Sequence, residues 1–504
     1  MAGRPVRAAV YNRFWSTGGG AETYGGALAQ LLARRGPVEL IAHEGLDLVA
    51  LGERLALDLS GCTVRVVPHT SRAVSAASRN CDLFVNVSHR SREASQAPRS
   101  LYVVHFPTSM GARTAPVGSP LPRVEWGPGF HQPEGRTTWT DGAGTLLVTT
   151  EPGRPVDLTL MLGFARPAGA DPADVRVLVD GGQAATTRLG AARTPLERWS
   201  GRPVRVRVAS PAAGVPAEVV VSCDGFVPAD VVGGDDARTL GVPVVGVALG
   251  RGATARLTRG GLTPGSSTGW LDSYDALVAN SQFTAGWVER LWQRPAVVLH
   301  PPVPMRSTGD KDQVILGVGR FFPRGRGHSK KQLELVQVFR RLVDAGLSGW
   351  TLHLVGGCSG GGRDYLQAVQ AEAAGYPVEL HVDASGAELD ALYARAAIYW
   401  HVAGLGEDPA RDPDRFEHFG ISTVEAMSAG AVPVVLGAGG LLEIVRDGID
   451  GLHIADLEQL AARTRELVEE PPWRRELASA AAQRARDFSL DAFDARLEEL
   501  LEGL

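Results

Sequence analysis

Cysteine is close to absent from this chain of 504 residues, which has four: Cys62, Cys81, Cys223 and Cys358. They are scattered, with no CxxC pair and no metal-ligand spacing. That excludes a disulfide framework and leaves structural thiols in a reducing compartment as the expectation. Lysine is scarce beside arginine, and neither sign of charge dominates. The formal net charge is −5, too small for the global basic field of a nucleic-acid binder. Long apolar runs are missing as well. No segment approaches the roughly 18 uninterrupted apolar residues that suggest a membrane-spanning helix, and MAGRPVRAAVYN lacks the apolar core of a signal peptide. Repeats and low-complexity tails do not stand out. The expected location is the cytoplasm, with the inner face of the membrane as an open alternative.

What the chain does have is ordinary folded composition: 44% hydrophobic and 21% charged residues, with 61 Gly and 32 Pro marking many turns. At this length a single core is too small a container, and two to four domains are expected. Residues 6–11 read as a buried strand. The turn STGGGAET follows, and then a helical stripe of Tyr24, Leu28, Leu31 and Leu32. Short apolar runs come at 38–42, 64–67, 83–87 and 101–106. Strands alternating with helices predict a parallel, doubly wound sheet, with ligands at the carboxyl edge of its strands. Gly18, Gly19 and Gly20 lie in the first such turn, where backbone can approach a phosphate or sugar. Their spacing is not GxGxxG, and a plain tight turn fits equally well. His105 ends a strand in LYVVHFPTS at the same edge, where imidazole can donate to a substrate oxygen or shuttle a proton. A structural histidine is the alternative there.

Near residue 111 the texture changes. Period-two runs at 145–149, 156–162, 175–180, 204–208 and 217–222 are separated by Gly/Pro-rich turns, which predicts an inserted antiparallel β-sandwich over 111–250. Trp126, His131, Trp139 and Trp199 could form a sugar-stacking platform, or simply be core and edge aromatics. Alternation then resumes, with strands at 275–279 and 296–299 and Ser281 as the N-cap of the helix between them. The first α/β domain is therefore 1–110 plus 251–305. A second runs over 306–485, with strands at 314–318, 350–355, 378–382, 398–402 and 432–436. An amphipathic C-terminal helix in 486–504 is expected to pack back on the first domain.

The stretch FEHFGISTVEAMSAGAVPVVLGAGGLL, residues 416–442, is the most informative. A helix beginning near Gly420 aims unpaired N–H groups and its positive dipole end forward, which suits a phosphate. Glu417 just before the helix and Glu425 within it suit sugar and ribose hydroxyls. On the same edge, GRFFPRGRGHSKKQ places Arg320, Lys330 and Lys331, cations that a departing diphosphate needs. Gly357 and the 381–383 segment end the two neighbouring strands, where backbone groups could grip a base.

Glu417 and Glu425, in EHFGISTVE, resemble the E-x7-E motif of the family 4 retaining glycosyltransferases, which have the GT-B fold of two facing Rossmann-like domains. The segments VVHFPTS, VANSQFTAGWVERLW, VVLHPPV, VGRFF, LVGGC and EHFGISTVEAMSAG are similar in order and wording to one branch. That branch is the GDP-mannose-dependent α-1,2-mannosyltransferases of lipid-linked oligosaccharide assembly. The resemblance implies that Glu425 holds the ribose, that Glu417 contacts the donor sugar, and that Arg320 and Lys330 neutralise the diphosphate. His105 would sit beside the anomeric centre, with Gly19 and Gly20 approaching from the other domain. Gly357, His418, Phe419, Gly420, Ile421 and Ser422 would complete the donor site. No cofactor or metal is implied, and Asp412-Pro413-Asp414, although it spells DxD, lies in a polar loop. The loop between Arg320 and Lys330 is longer than the family's, so Lys331 rivals Lys330. The β insertion has no counterpart in that branch.

The fold expected is thus α/β, GT-B, with an all-β insertion in the N-terminal domain. The function expected is metal-independent, retaining transfer of a mannose-type sugar from a GDP- or UDP-sugar. The acceptor would be a glycan, a lipid-linked glycan or a small molecule, with no nucleic acid involved. A GT-B phosphorylase or epimerase is the alternative within enzymes, and a carbohydrate-binding protein using the insertion is the alternative outside them.

Overall fold

The computed structural model describes residues 6–17, 19–68, 70–89, 91–107, 122–127, 129–131, 137–151, 153–163, 172–189, 202–212, 215–226, 239–250, 256–259, 268–322, 329–358 and 362–504. Four-residue strands such as Ala8–Tyr11 and Leu83–Asn86 are buried at every position, because helices cover both faces of the sheet they build. That sheet is entirely parallel. Its order is Val297–Val298, Ala276–Ala279, Arg99–Val104, Leu83–Asn86, Ala8–Tyr11, Val38–Ala42 and Cys62–Val66.

A second parallel sheet runs Val378–Val382, Thr351–Gly356, Val314–Val318, Ile398–His401, Val432–Leu436 and Leu452–Ile454. Its core joins Phe339 and Leu335, from the helix Gln332–Asp344, to Leu352, Leu354 and Trp400. Lys311 reaches across this domain's helix ends and donates to the carbonyls of Ala394 (2.8 Å) and Ala429 (2.6 Å). A cation is favoured there because those carbonyls carry the negative end of each helix.

Between the strands Arg99–Val104 and Ala276–Ala279 of the first sheet lies the sandwich. One of its sheets runs Gly182–Leu189, Ala173–Val179, Ala217–Ser222, Ala143–Thr149 and Arg123–Trp126. The other runs Arg202–Val208, Val156–Leu162, Pro243–Leu249 and Arg256–Arg259, with Thr138–Trp139 paired to Pro243–Leu249. In Arg202–Val208 the arginines face out while Val204, Val206 and Val208 are buried, so period-two patterning lines the core. Because Arg256–Arg259 pairs antiparallel with Pro243–Leu249, the β-structure reaches past the boundary expected at 250. Trp126 and Trp139 are each only 6% exposed, and the Trp126 ring meets Phe130 edge-on. These two belong to the sandwich interior, not to a stacking platform. His131 Nε2 donates to the Thr239 carbonyl at 2.8 Å within the sandwich, and Trp199 lies outside the described residues.

The chain's last helix, Leu490–Glu502, returns to the first domain. Phe493 and Leu497 are buried in that domain's core, with the Phe493 ring edge-on to Tyr24. Asp494 accepts from Arg35 (2.8 Å) and Arg34 (3.2 Å). Among the described residues no helix is long and apolar enough to cross a membrane.

Candidate functional site

The two parallel sheets face each other, and the candidate site is the cleft between their carboxyl edges. Two helix N-termini meet there. Gly20 opens the helix Gly20–Ala33 on one side, and a Cβ placed on it would come 3.2 Å from Ile421 Cδ1, at the start of Ile421–Ser428 on the other. Gly420, the N-cap of that second helix, has φ +117°, a conformation only glycine adopts without strain, and an added Cβ would lie 2.8 Å from Leu441 Cδ2. Aligned N–H groups from the Gly420 helix give the cleft a fixed positive end.

Glu417 stands in front of this end, with its side chain 12% exposed. It is ion-paired with Lys330 and lies 2.9 Å from His401 Nε2. Lys330 Nζ is in turn 3.3 Å from that same nitrogen. Burial, then the Lys330 charge, hold His401 below the ordinary histidine range, so its ring is neutral and donates from Nε2 to Glu417. Its Nδ1 is buried and meets no partner among the described residues. His401 escaped the sequence reading, although it carries the signal used for His105: a histidine at the carboxyl end of a buried strand.

The chain contains three lysines, and the structure separates the two adjacent ones. Lys331 has φ +57° at the N-cap of Gln332–Asp344 and is 2% exposed. Its ammonium lies 2.6 Å from Glu407, which also accepts from Arg415 at 2.8 Å. So Lys330 faces the cleft and Lys331 braces the domain. Arg320 is exposed, and its guanidinium makes no hydrogen bond or ion pair among the described residues.

Glu425 is 8% exposed and already engaged. It is ion-paired with Arg306, which also pairs with Asp390, and it accepts from Tyr393 Oη at 2.9 Å. Neither partner was legible in the sequence, since Arg306 lies in the interdomain linker with no motif around it. A ribose at Glu425 would have to share the carboxylate with Arg306 or displace it.

Neighbouring groups already engage several of the other expected site residues. His105 is held neutral by burial. Its Nε2 lies 2.8 Å from the Val87 carbonyl, which can only accept, so Nε2 carries the proton and Nδ1 is an acceptor. The ring can therefore take a hydrogen bond from a hydroxyl; donating one would need a protonation that burial opposes. The Gly19 N–H is likewise committed, donating to Glu22 Oε2 at 2.7 Å. The Phe419 ring is buried against His300 and Phe488, which leaves only its backbone for a ligand. His418 crosses the cleft, stacking on Phe106 of the first domain with centroids 4.1 Å apart. Ser422 Oγ accepts from Tyr399 Oη at 2.8 Å. Gly357 lies on the loop after Thr351–Gly356, where its carbonyl accepts from Phe321 N at 2.9 Å.

A separate cavity of about 810 Å³ lies between the first domain and the sandwich. Arg13, Thr70, Arg72 and Ala76 line one side, and Asp180, Glu218 and Val220 the other. Two ion pairs tie the walls together, Arg13–Asp141 at 2.9 Å and Arg72–Asp180 at 3.2 Å. Arg13 also connects it to the cleft, because the adjacent Asn12 donates to Glu22, the acceptor of Gly19. Glu218 is 9% exposed, and its Oε2 has no partner among the described residues. Burial pushes this carboxyl up to about 7. The folded chain therefore holds a proton that the unfolded chain releases, so this group costs no stability at low pH. The cost grows as pH rises through the window from the ordinary carboxylate range to about 7. Glu218→Gln is expected to raise stability by about 3 kcal/mol at pH 8 and to change it little at pH 4.5. Thermal unfolding of both proteins across that range checks this.

Comparisons with known proteins fit this architecture. Residues 306–486 match the family glycosyl transferases group 1. A structure of Anabaena HepE in complex with UDP and glucose superposes with a TM-score of 0.51 at 12% identity, covering 99% of this chain and 100% of that one. A glycosyltransferase from Rickettsia africae gives 0.52 at 11%, over 99% and 98%. The fold is GT-B.

Within the GT-B frame, curated relatives match only in part. D-inositol 3-phosphate glycosyltransferase of Frankia alni is 30% identical over 148 residues, which is 28% of this chain and 34% of that protein. Sucrose synthase of Acidithiobacillus caldus is 35% identical over 119 residues, 22% of this chain and 15% of that protein. The chain thus spans about a third or less of the length of these relatives.

Proposed function

We propose that this protein is a retaining, metal-independent glycosyltransferase that moves a mannose-type hexose from a nucleoside diphosphate sugar to an acceptor hydroxyl. The observation that carries this is Glu417, bound by Lys330 and His401 in front of the Gly420 helix end and facing the Gly20 helix across the cleft. In this reading Glu417 orients the sugar hydroxyls and Glu425 the ribose. Lys330, Arg320 and the helix end stabilise the diphosphate as negative charge develops on it. The bond from the anomeric carbon to the diphosphate oxygen breaks on the face where the acceptor oxygen bonds. The acceptor proton passes to the departing phosphate oxygen. His105 Nδ1 accepts from a hydroxyl beside that centre. The cavity between the first domain and the sandwich lies on the acceptor side, which favours a hydroxyl-bearing acceptor larger than one sugar ring. A lipid-linked glycan would bring the enzyme to a membrane surface.

Incubating the full chain with radiolabelled GDP-mannose, UDP-glucose or ADP-glucose tests the class. UDP-glucose belongs in the set because HepE has been solved with it. Transfer or hydrolysis that survives EDTA, with the α-anomer retained by NMR, is expected. Release of sugar phosphate only when phosphate is added would instead make it a phosphorylase. Lysine scarcity offers a second check. Pyridoxal phosphate followed by borohydride should modify Lys330, and the correct nucleoside diphosphate should protect it while leaving Lys311 modified. Peptide mass spectrometry reads both; modification of Lys330 that no nucleotide reduces would count against the assignment.

A further inference from the structure

His353, on Thr351–Gly356, lies directly opposite Glu379 in the parallel register with Val378–Val382. Residues two apart on a strand share a face, so His381 stands beside Glu379 and both stand beside His353. The three donor atoms form a compact triangle. His353 Nδ1 is 3.0 Å from His381 Nε2, and Glu379 Oε2 is 3.6 Å from the first and 3.8 Å from the second. Tetrahedral zinc with ligands at roughly 2.0–2.2 Å needs donor atoms about 3.3–3.6 Å apart. The observed edges bracket that spacing.

The outer partners bear on where the ring hydrogens sit. His381 Nδ1 lies 2.7 Å from Glu388 Oε1, and a carboxylate there requires the hydrogen on Nδ1. His353 Nε2 lies 3.1 Å from Thr351 Oγ1, a hydroxyl that can accept its hydrogen or donate one to it. With the hydrogen on His353 Nε2, the two inner nitrogens present lone pairs to each other at 3.0 Å, an arrangement that a metal ion can share. A carboxylate on the far nitrogen of a ligating imidazole is also the usual support for a zinc ligand.

We infer that His353, Glu379 and His381 bind a zinc ion. Two imidazoles and one carboxylate suit zinc better than magnesium or calcium, which take oxygen ligands. Glu379, with its side chain 60% exposed, leaves the fourth position to water. The ion ties the edge strand Val378–Val382 to its neighbour. Immediately after that strand, Asp383 Oδ1 takes the Cys358 N–H at 3.3 Å, beside Gly357. Zinc therefore stiffens the loop pair on the donor side of the cleft and is structural.

The test uses untagged full-length protein, stripped with a chelator and titrated with zinc chloride against a chromophoric competitor. One zinc per chain is expected, with a rise in thermal midpoint that magnesium chloride does not produce. Cobalt(II) should give the intense visible bands of a four-coordinate site. His381→Ala and Glu379→Ala should abolish the one-to-one binding. Glu388→Gln, which touches no metal, should weaken it about 10–100-fold. Zinc bound equally well by His381→Ala, or no zinc bound by the parent protein at micromolar free zinc, would overturn the inference and leave two neutral imidazoles joined by one ring hydrogen.

Discussion

Glu417→Gln is expected to lower kcat by about 10³-fold, at the upper end for loss of one preorganised polar contact in a water-poor site. The donor KM should change much less. Gln keeps the shape and one acceptor oxygen, so His401 retains a partner, but the charge that fixes Lys330 is lost. Lys330→Met should cost a similar factor, because Lys330 and Glu417 position each other. The double variant should therefore be little worse than either single one, as for groups acting as a unit. Steady-state kinetics with the donor found active, alongside circular dichroism to confirm folding, measure this. Near-normal turnover in either single variant would remove the assignment. Additive losses would separate the two residues into independent roles.

Glu443→Ala should loosen the closed arrangement of the two α/β domains. Glu443 sits on a short helix, Leu441–Ile444, of the second domain. Its carboxylate accepts from the backbone of Gln282 (2.8 Å) and Phe283 (3.3 Å), the opening residues of the helix Gln282–Trp292 in the first. It thus caps a helix belonging to the other domain, where a negative charge is favoured. The same carboxylate lies 2.8 Å from His300 Nε2, and Arg496 donates to His300 Nδ1 at 3.0 Å, which leaves the Nε2 hydrogen for Glu443. Hydrogen bonds to a charged group contribute roughly 1.5–3 kcal/mol each. Some of that is recovered from water on opening, so about 3 kcal/mol, or roughly 100-fold in the closed-to-open ratio, is the expected loss. Small-angle scattering should show a larger radius of gyration in the variant, and saturating nucleoside diphosphate should reverse part of it. A scattering curve identical to that of the parent protein would show that the His418–Phe106 stack and the linker suffice to hold the domains together.

Much of the architecture was legible because local pattern and burial coincide. Val38–Ala42, Val156–Leu162, Val314–Val318 and Val432–Leu436 fall where apolar runs or period-two alternation put them. The strand Gly182–Leu189 was missed, since it is largely exposed and polar and is held by pairing to Ala173–Val179. Of the two readings open for Trp126 and Trp139, the structure bears out core aromatics over a platform; an aromatic on a period-two strand faces inward or outward according to register, which composition does not reveal.

At the site, the sequence by itself determined which elements carry the chemistry: a glycine-opened helix with Glu417 before it and Glu425 within it, and a cation-bearing loop on the same sheet edge. Tertiary structure alone decided the partners. Lys330 and Lys331 are indistinguishable as letters. One left-handed residue, Lys331 at φ +57°, turns the first into the cleft and the second into the domain. His401, Arg306 and Glu443 lie 16, 119 and 160 or more residues from groups they hold, distances over which no local periodicity acts. Their positions follow from how two sheets and a linker close on one another, a matter of packing that the chain specifies only as a whole.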